Sequence, residues 1–284
     1  MINFEPNTEG VFSMEEEPYR AAPGVAQSDL KMLAQSPAHY RWNKEHPTPP
    51  TPAMVLGTLT HTAILEPKRM GGGQPLFHVK PAGMKFSTKE SRAWRDDHQD
   101  LPIITNDELD AMSGMARSVW DHPFASAMLE RGESEQSVFV NHPGTGLLRK
   151  CRIDRTTTDD EGATVLMDLK TTDDASVIGF RRTATKLRYH LQAAYYVDAW
   201  KDLMGEEPGF GFIAVERDPP YAVCVHRVSP RALEAGRRRY EPLLETFKTC
   251  KEADNWPAYS DMFETFDVPA WEEREVGMDL EQGN

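Results

Sequence analysis

Asp168-Leu169-Lys170 closes an apolar run, and Ile153-Asp154 closes the apolar segment before it. Side chains of an extended strand alternate faces, so Asp168 and Lys170 point the same way, with Leu166 and Thr164 behind them. A carboxylate and an amine on one face at a strand end form half of a metal-dependent phosphodiesterase site. Asp154 supplies the other half if the two strands pair. A phosphodiester is anionic and resists attack by hydroxide; bound divalent metals neutralise it and lower the pKa of a coordinated water. Mg²⁺ prefers oxygen ligands and keeps several waters, so two or three carboxylates are enough. Lys170 can position or deprotonate the attacking water, or stabilise the developing charge, and the carbonyl of Leu169 can reach a metal at the strand end. Plainer readings exist: a surface ion pair for Asp168 and Lys170, a turn residue for Asp154. Val165-Leu166-Met167, however, is apolar on both faces, the mark of a covered central strand.

The rest of the chain restricts what such a site could serve. Its 284 residues can bury a good core, and they carry 45 acidic against 32 basic side chains, a formal charge of −13. That balance argues against a passive basic nucleic-acid coat and against anionic membranes. It leaves room for an enzyme on DNA with a local basic groove. No apolar stretch approaches the roughly 20 residues of a membrane span, and Met1–Gly10 lacks the layout of a signal peptide. The cysteines, Cys151, Cys224 and Cys250, form neither a disulfide framework nor a CxxC site, and three cannot hold a four-cysteine cluster. A reduced, cytoplasmic setting fits.

Local patterns along the chain predict the helices and strands around these residues. Residues 1–24 are an acidic tail or arm. One helix runs from Ser28, as N-cap, to about Lys44. A proline-rich connector, 46–52, leads to a helix over about 53–65 that buries Leu56, Leu59 and Ala63. Residues 68–104 give little pattern: a glycine break at 71–73, a short strand over 77–80, and a charged segment, 85–98, either mobile or DNA-facing. Helices follow from Thr105 or Asn106 to Trp120 and from Pro123 to Glu130. Strands over 136–141, 147–154 and 164–170, joined by short turns, read as a meander. Helices over 173–182 and 186–204, strands over 210–216 and 222–228, and a helix over 230–251 complete the order. This is an α+β, or mixed α/β, layout: a central mixed sheet flanked by helices, with an N-terminal helical part. The expected organisation is a tail (1–24), a single domain (25–271) and an acidic C-terminal tail (272–284).

Several stretches together resemble a known family. Leu147–Asp154 followed by Met167–Thr172 looks like the PD-(D/E)xK nuclease superfamily, and more closely the RecE-type exonuclease VIII family of phages and prophages. Gln27–Lys31 with Ser36–Tyr40, Leu56–His61 with Leu65-Glu66-Pro67, Tyr189–Tyr196 and Asn255-Trp256-Pro257 resemble further family segments in family order. Ile153 stands where the motif often has proline. Asp168 stands where the superfamily often has glutamate; it is aspartate in RecE-type enzymes.

The resemblance implies a restriction-endonuclease-like core and roles for particular residues. Asp154, Asp168 and His61 would bind metal, with the Leu169 carbonyl as a backbone ligand and Glu135, just before the first strand, acting through water. Lys170 would be the catalytic lysine. Gln192 and Tyr196, at i and i+4 on one helix face, would touch the DNA backbone or support the metal ligands. Arg181, Arg182, Lys186 and Arg188 would bind phosphate, with Arg237-Arg238-Arg239 a further candidate. Taken singly, His61, Gln192 and Tyr196 also read as core residues and the basic cluster as a solvated helix face. The implied activity is an Mg²⁺-dependent exodeoxyribonuclease, with Mn²⁺ able to substitute. It would degrade linear double-stranded DNA from 5′ to 3′ and leave 3′ single strands for recombination. It would work as a ring, a homo-tetramer, beside a single-strand annealing protein in a bacterial host. The alternatives are an endonuclease or single-strand nuclease of the same fold, or a non-catalytic DNA-binding recombination scaffold. The intact Asp154, Asp168, Lys170 and His61 set argues against the scaffold.

Overall fold

A computed structural model describes residues 8–85 and 87–275. The first seven residues of the expected N-terminal tail and residues 276–284 of the expected C-terminal tail lie outside the described residues.

The N-terminal part departs from the sequence reading. Gly10–Ser13 is a strand (β1), Glu16–Ala21 a helix (α1) and Val25–Ala26 a short strand (β2). Residues 10–26, read as part of a tail or its junction, therefore belong to the fold. The cause is long-range pairing, which local composition does not register. The expected single helix over 28–44 is two, α2 (Gln27–Leu33) and α3 (Pro37–Glu45). Ser36 breaks it: its hydroxyl accepts from the His39 amide and Pro37 takes the first helical position, where a missing N–H costs nothing. At the start of α2 it is Asp29, not Ser28, that accepts a backbone bond, from the Ala26 amide at 2.8 Å.

Then come α4 (Pro52–Leu65), α5 (Pro67–Met70), β3 (His78–Val79), α6 (Lys89–Asp97), β4 (Ile103–Ile104), α7 (Asn106–Asp121) and α8 (Pro123–Glu130). β3 and β4 pair in parallel apart from the main sheet. Three long strands form the meander, β5 (Glu133–Asn141), β6 (Leu148–Thr158) and β7 (Thr164–Thr172). Two helices cross over, α9 (Val177–Lys186) and α10 (Tyr189–Met204). β8 (Gly209–Glu216), β9 (Val223–Arg227), α11 (Pro230–Ala253) and α12 (Ala270–Glu275) complete the described chain. α9 begins later than its sequence reading because Ser176 caps it through the Gly179 amide. α10 begins at Tyr189 because Arg188 takes left-handed backbone, φ 55°, and interrupts the helix.

The main sheet runs β1-β5-β6-β7-β8-β9, with β2 on β6. β7 and β8 are parallel, as are β2 and β6; the other pairs are antiparallel. A parallel pair needs a crossover, and α9–α10 provide it. Both faces of the centre are covered, so β7 reads as a continuous apolar run. Leu166, Phe210, Phe212 and Ala214 pack against α10 and α11. Met167, Leu169, Ile213 and Val215 pack against α4, α7 and α8. Arg149 of β6, fully buried, pairs with Asp202 of α10 at 2.5 Å and ties the sheet to that layer. Among the described residues no helix is long and apolar enough to cross a membrane.

Candidate metal centre

The site lies where β6 and β7 part. Their last paired rung is Arg155↔Met167, so continued register sets Asp154 opposite Asp168. On the other side of β6, Ser134↔Arg155 and Gln136↔Ile153 flank an unpaired rung that sets Glu135 opposite Asp154. One rung thus carries three carboxylates on three neighbouring strands. The ladder is broken there in two ways. Glu135 has φ 56°, a left-handed conformation that a non-glycine residue adopts only where the surroundings impose it. The Leu169 amide donates to Asp154 Oδ2 at 2.8 Å in place of a bond to the β6 backbone. Beyond the split, β2 takes the vacated edge of β6, with Val25 and Ala26 opposite Arg149 and Lys150. Glu135 therefore sits inside β5, not before it as the sequence suggested: β propensity does not reveal a break in register.

α4 delivers His61 to this rung. Its Nδ1 is 3.6 Å from Asp154 Oδ2. One ligand atom each from His61, Glu135 and Asp154 lie within 4.8 Å of one another, the spread of donors around a single divalent ion with bonds of 2.0–2.6 Å. A cleft of about 450 Å³ opens on them, lined also by Gly57, Glu66 and Arg152. A Cβ built on Gly57 meets nothing within 4 Å, so the glycine leaves the cleft wall open.

Asp168 is held on the α10 side and is 2% exposed. Gln192 Nε2 donates to its Oδ1 at 2.5 Å. Lys170 Nζ stands 2.5 Å from Oδ2, so both oxygens of this buried carboxylate face a donor. Lys170 also lies 5.0 Å from the centre of the Tyr189 ring.

The electrostatics are those of crowded acids. Burial, then Asp168, pushes the Asp154 carboxyl up to about 8. Burial, then Asp154, pushes Glu135 up to about 7, against Arg152. Burial, then Lys170, lowers the His61 imidazole, while Asp168, Glu135 and a backbone bond to Leu169 oppose the change. Burial alone would lower the Lys170 ammonium, but Asp168 and Asp154 outweigh it and the net shift is upward. A neutral imidazole and repelling carboxylates fit a divalent cation, whose charge reverses the cost of crowding the acids.

Of the two roles expected of Gln192 and Tyr196, contact with DNA or support of the metal ligands, the buried position of both, 5% and 7% exposed, favours the second. Gln192 orients Asp168, and Tyr196 packs against Phe210. Both follow from α10 being covered by the sheet, which the i, i+4 spacing alone does not report. By contrast, Arg181, Arg182 and Lys186 of α9 are exposed, and Arg188 is partly so. Arg152 was not singled out from the sequence. Its Nε donates to Glu135 Oε2 at 2.5 Å and its Nη1 to the Met14 carbonyl at 2.6 Å. Its position two residues before Asp154 was the available signal.

The fold and the carboxylate–lysine set define a domain of the PD-(D/E)xK nuclease superfamily. The chain belongs to the family described as PDDEXK-like domain of unknown function (DUF3799), which it matches over residues 26–269. Among solved structures, it is similar to one described as "Putative exonuclease" from Eubacterium rectale, at 14% identity and TM-score 0.60 over 93% of this chain and 98% of that one. A second, SSO0001, gives 13% identity and TM-score 0.35 over 83% and 79%, too little to argue from. No curated protein matches the chain.

Proposed function

We propose that this protein is an exodeoxyribonuclease of RecE type that uses Mg²⁺, or Mn²⁺ in its place, to degrade linear double-stranded DNA from 5′ to 3′. The observation that carries the reading is the carboxylate rung Glu135–Asp154–Asp168 at the split of the sheet, with His61 and Lys170 beside it. Asp154, Glu135, His61 and Asp168, with the Leu169 backbone, would hold the cation, which when bound supplies charge neutralisation and an acidified water. Arg152 fixes Glu135, and Gln192 fixes Asp168. Lys170 steers the attacking water and stabilises charge developing on the phosphate. Arg181, Arg182, Lys186 and Arg188 contact the DNA backbone. A similar fold described as "Putative exonuclease" supports the exonuclease form. The resemblance to RecE-type enzymes supports a tetrameric ring, whose acidic outer surface would leave basic residues to face the DNA, and a single-strand annealing protein as partner.

The test is end-labelled linear duplex with Mg²⁺, sampled over time, beside covalently closed circles. Progressive loss of 5′ label with intact circles is expected, together with its abolition by chelator and by Lys170→Ala, which keeps DNA binding. Cut circles would instead identify an endonuclease. Absence of any Mg²⁺- or Mn²⁺-dependent cleavage, with binding that responds only to salt, would identify a scaffold.

A further inference from the structure

Because β2 takes the edge of β6 that β7 has left, α2, which follows β2 without a break, is brought to the active site. It carries Lys31, whose Nζ is 5.6 Å from the centre of the same Tyr189 ring that Lys170 approaches. The Lys31 ammonium is lowered to about 8 by burial and then by Lys170, and it also feels Asp168 and Arg188. Among the described residues it makes no ion pair, and Asp168 is already engaged by Lys170 and Gln192.

A third cation arrives from α11. Gly236 lets this helix cross α10 closely: a Cβ built there would lie 2.1 Å from the His190 carbonyl oxygen. One turn on is Arg239, and the His190 imidazole is lowered by burial, then by Arg239, Lys31 and Arg188. The neighbouring arginines are occupied, Arg237 by Asp198 and Glu207 and Arg238 by Glu234. Arg239 is exposed and makes no ion pair among the described residues. Three segments of an acidic protein, α2, the turn at Arg188 and α11, therefore bring like charges around Tyr189 and His190 at the start of α10, where Lys170 also approaches the Tyr189 ring. Such repulsion is relieved when an anion binds.

We infer that Lys31, Arg188 and Arg239 form a phosphodiester-binding track that holds one DNA strand as it passes the metal centre. The track rests on the nuclease reading and adds to it two residues, from α2 and α11, and a path for the strand.

The experiment measures binding of the full-length protein to a fluorescent 20-base-pair duplex with a 3′ overhang, in Ca²⁺ to prevent cleavage, across a salt series. Lys31→Gln and Arg239→Gln should each weaken binding about 5-fold and lower the slope of log K against log salt by about 0.7–0.9, one phosphate contact apiece. Lys31→Arg should bind like wild type, and Lys251→Gln, an exposed cation about three turns further along α11, should change nothing. Melting temperatures confirm that each variant is folded; Arg239, being exposed, tests the track even if Lys31→Gln unfolds. Wild-type affinity and slope in Lys31→Gln and Arg239→Gln overturn the track while leaving the nuclease reading standing. A wild-type protein that binds no DNA overturns both.

Discussion

Gln192 holds Asp168 from the helix behind it, its amide donating to Oδ1 at 2.5 Å with both side chains buried. The residue touches neither cleft nor surface, so its effect on chemistry passes through the carboxylate. Gln192→Ala should lower metal affinity by about 10–100-fold, the usual cost of removing a partner that orients a metal ligand. Cleavage at saturating metal should fall less, and KM for DNA should not move. Metal titrations of cleavage rate read this directly. A variant with altered KM and unaltered metal dependence would instead favour the DNA contact, the other role the sequence left open for Gln192.

The crowded acids make the metal-free protein sensitive to pH. A carboxyl whose pKa is raised by folding binds its proton more tightly folded than unfolded. The contribution of Asp154 is then complete below its ordinary value of 3.8 and is lost as pH rises through about 8. Glu135 acts with the same sign between 4.5 and about 7. Metal-free protein should therefore melt roughly 5–10 °C lower at pH 8.5 than at pH 5 on this account. Asp154→Asn should remove most of that slope, and added Mn²⁺ should restore stability to wild type but not to the variant. Calorimetric scans across pH in chelator check it; an unchanged slope in Asp154→Asn counts against the raised carboxyl.

His61 places a nitrogen donor among oxygens. Imidazole suits Mn²⁺ better than Mg²⁺, which prefers an all-oxygen shell. Half-maximal activity should come at a lower Mn²⁺ than Mg²⁺ concentration in the wild type, by about tenfold or more, and His61→Asp should narrow that gap. Activity measured against each metal tests it. Equal narrowing by Gly57→Ala, which adds no donor, would mean that cleft shape sets the preference.

One lysine fastens the end of α1. Lys150 Nζ donates to the carbonyls of Tyr19, Arg20 and Ala22 at 3.1, 3.1 and 2.7 Å, and Lys150 is 5% exposed. Lys150→Met keeps the stem and strands three carbonyls, at a cost of about 2–4 kcal/mol. Removal of residues 1–22 should destabilise further, because β1 also leaves the sheet. Denaturant midpoints decide the matter: a truncation with wild-type stability would restore the reading of this stretch as a tail.

Strand alternation alone put Asp168 and Lys170 on one face, and apolar residues on both faces marked β7 as covered. The meander followed from short turns, because residues a few positions apart have little choice of partner. These features depend on neighbours in sequence and can be read without the fold. The three-carboxylate rung did not come that way. It depends on where β6 and β7 stop pairing, on the left-handed turn at Glu135 and on β2 filling the opening, none of which local periodicity encodes. The same holds for Gln192, whose spacing from Tyr196 left contact with DNA and support of a metal ligand equally open, and for Lys31 and Arg239, 208 positions apart. Each acquires its role from the charges that folding sets beside it, because Coulomb forces act across space and take no account of chain order.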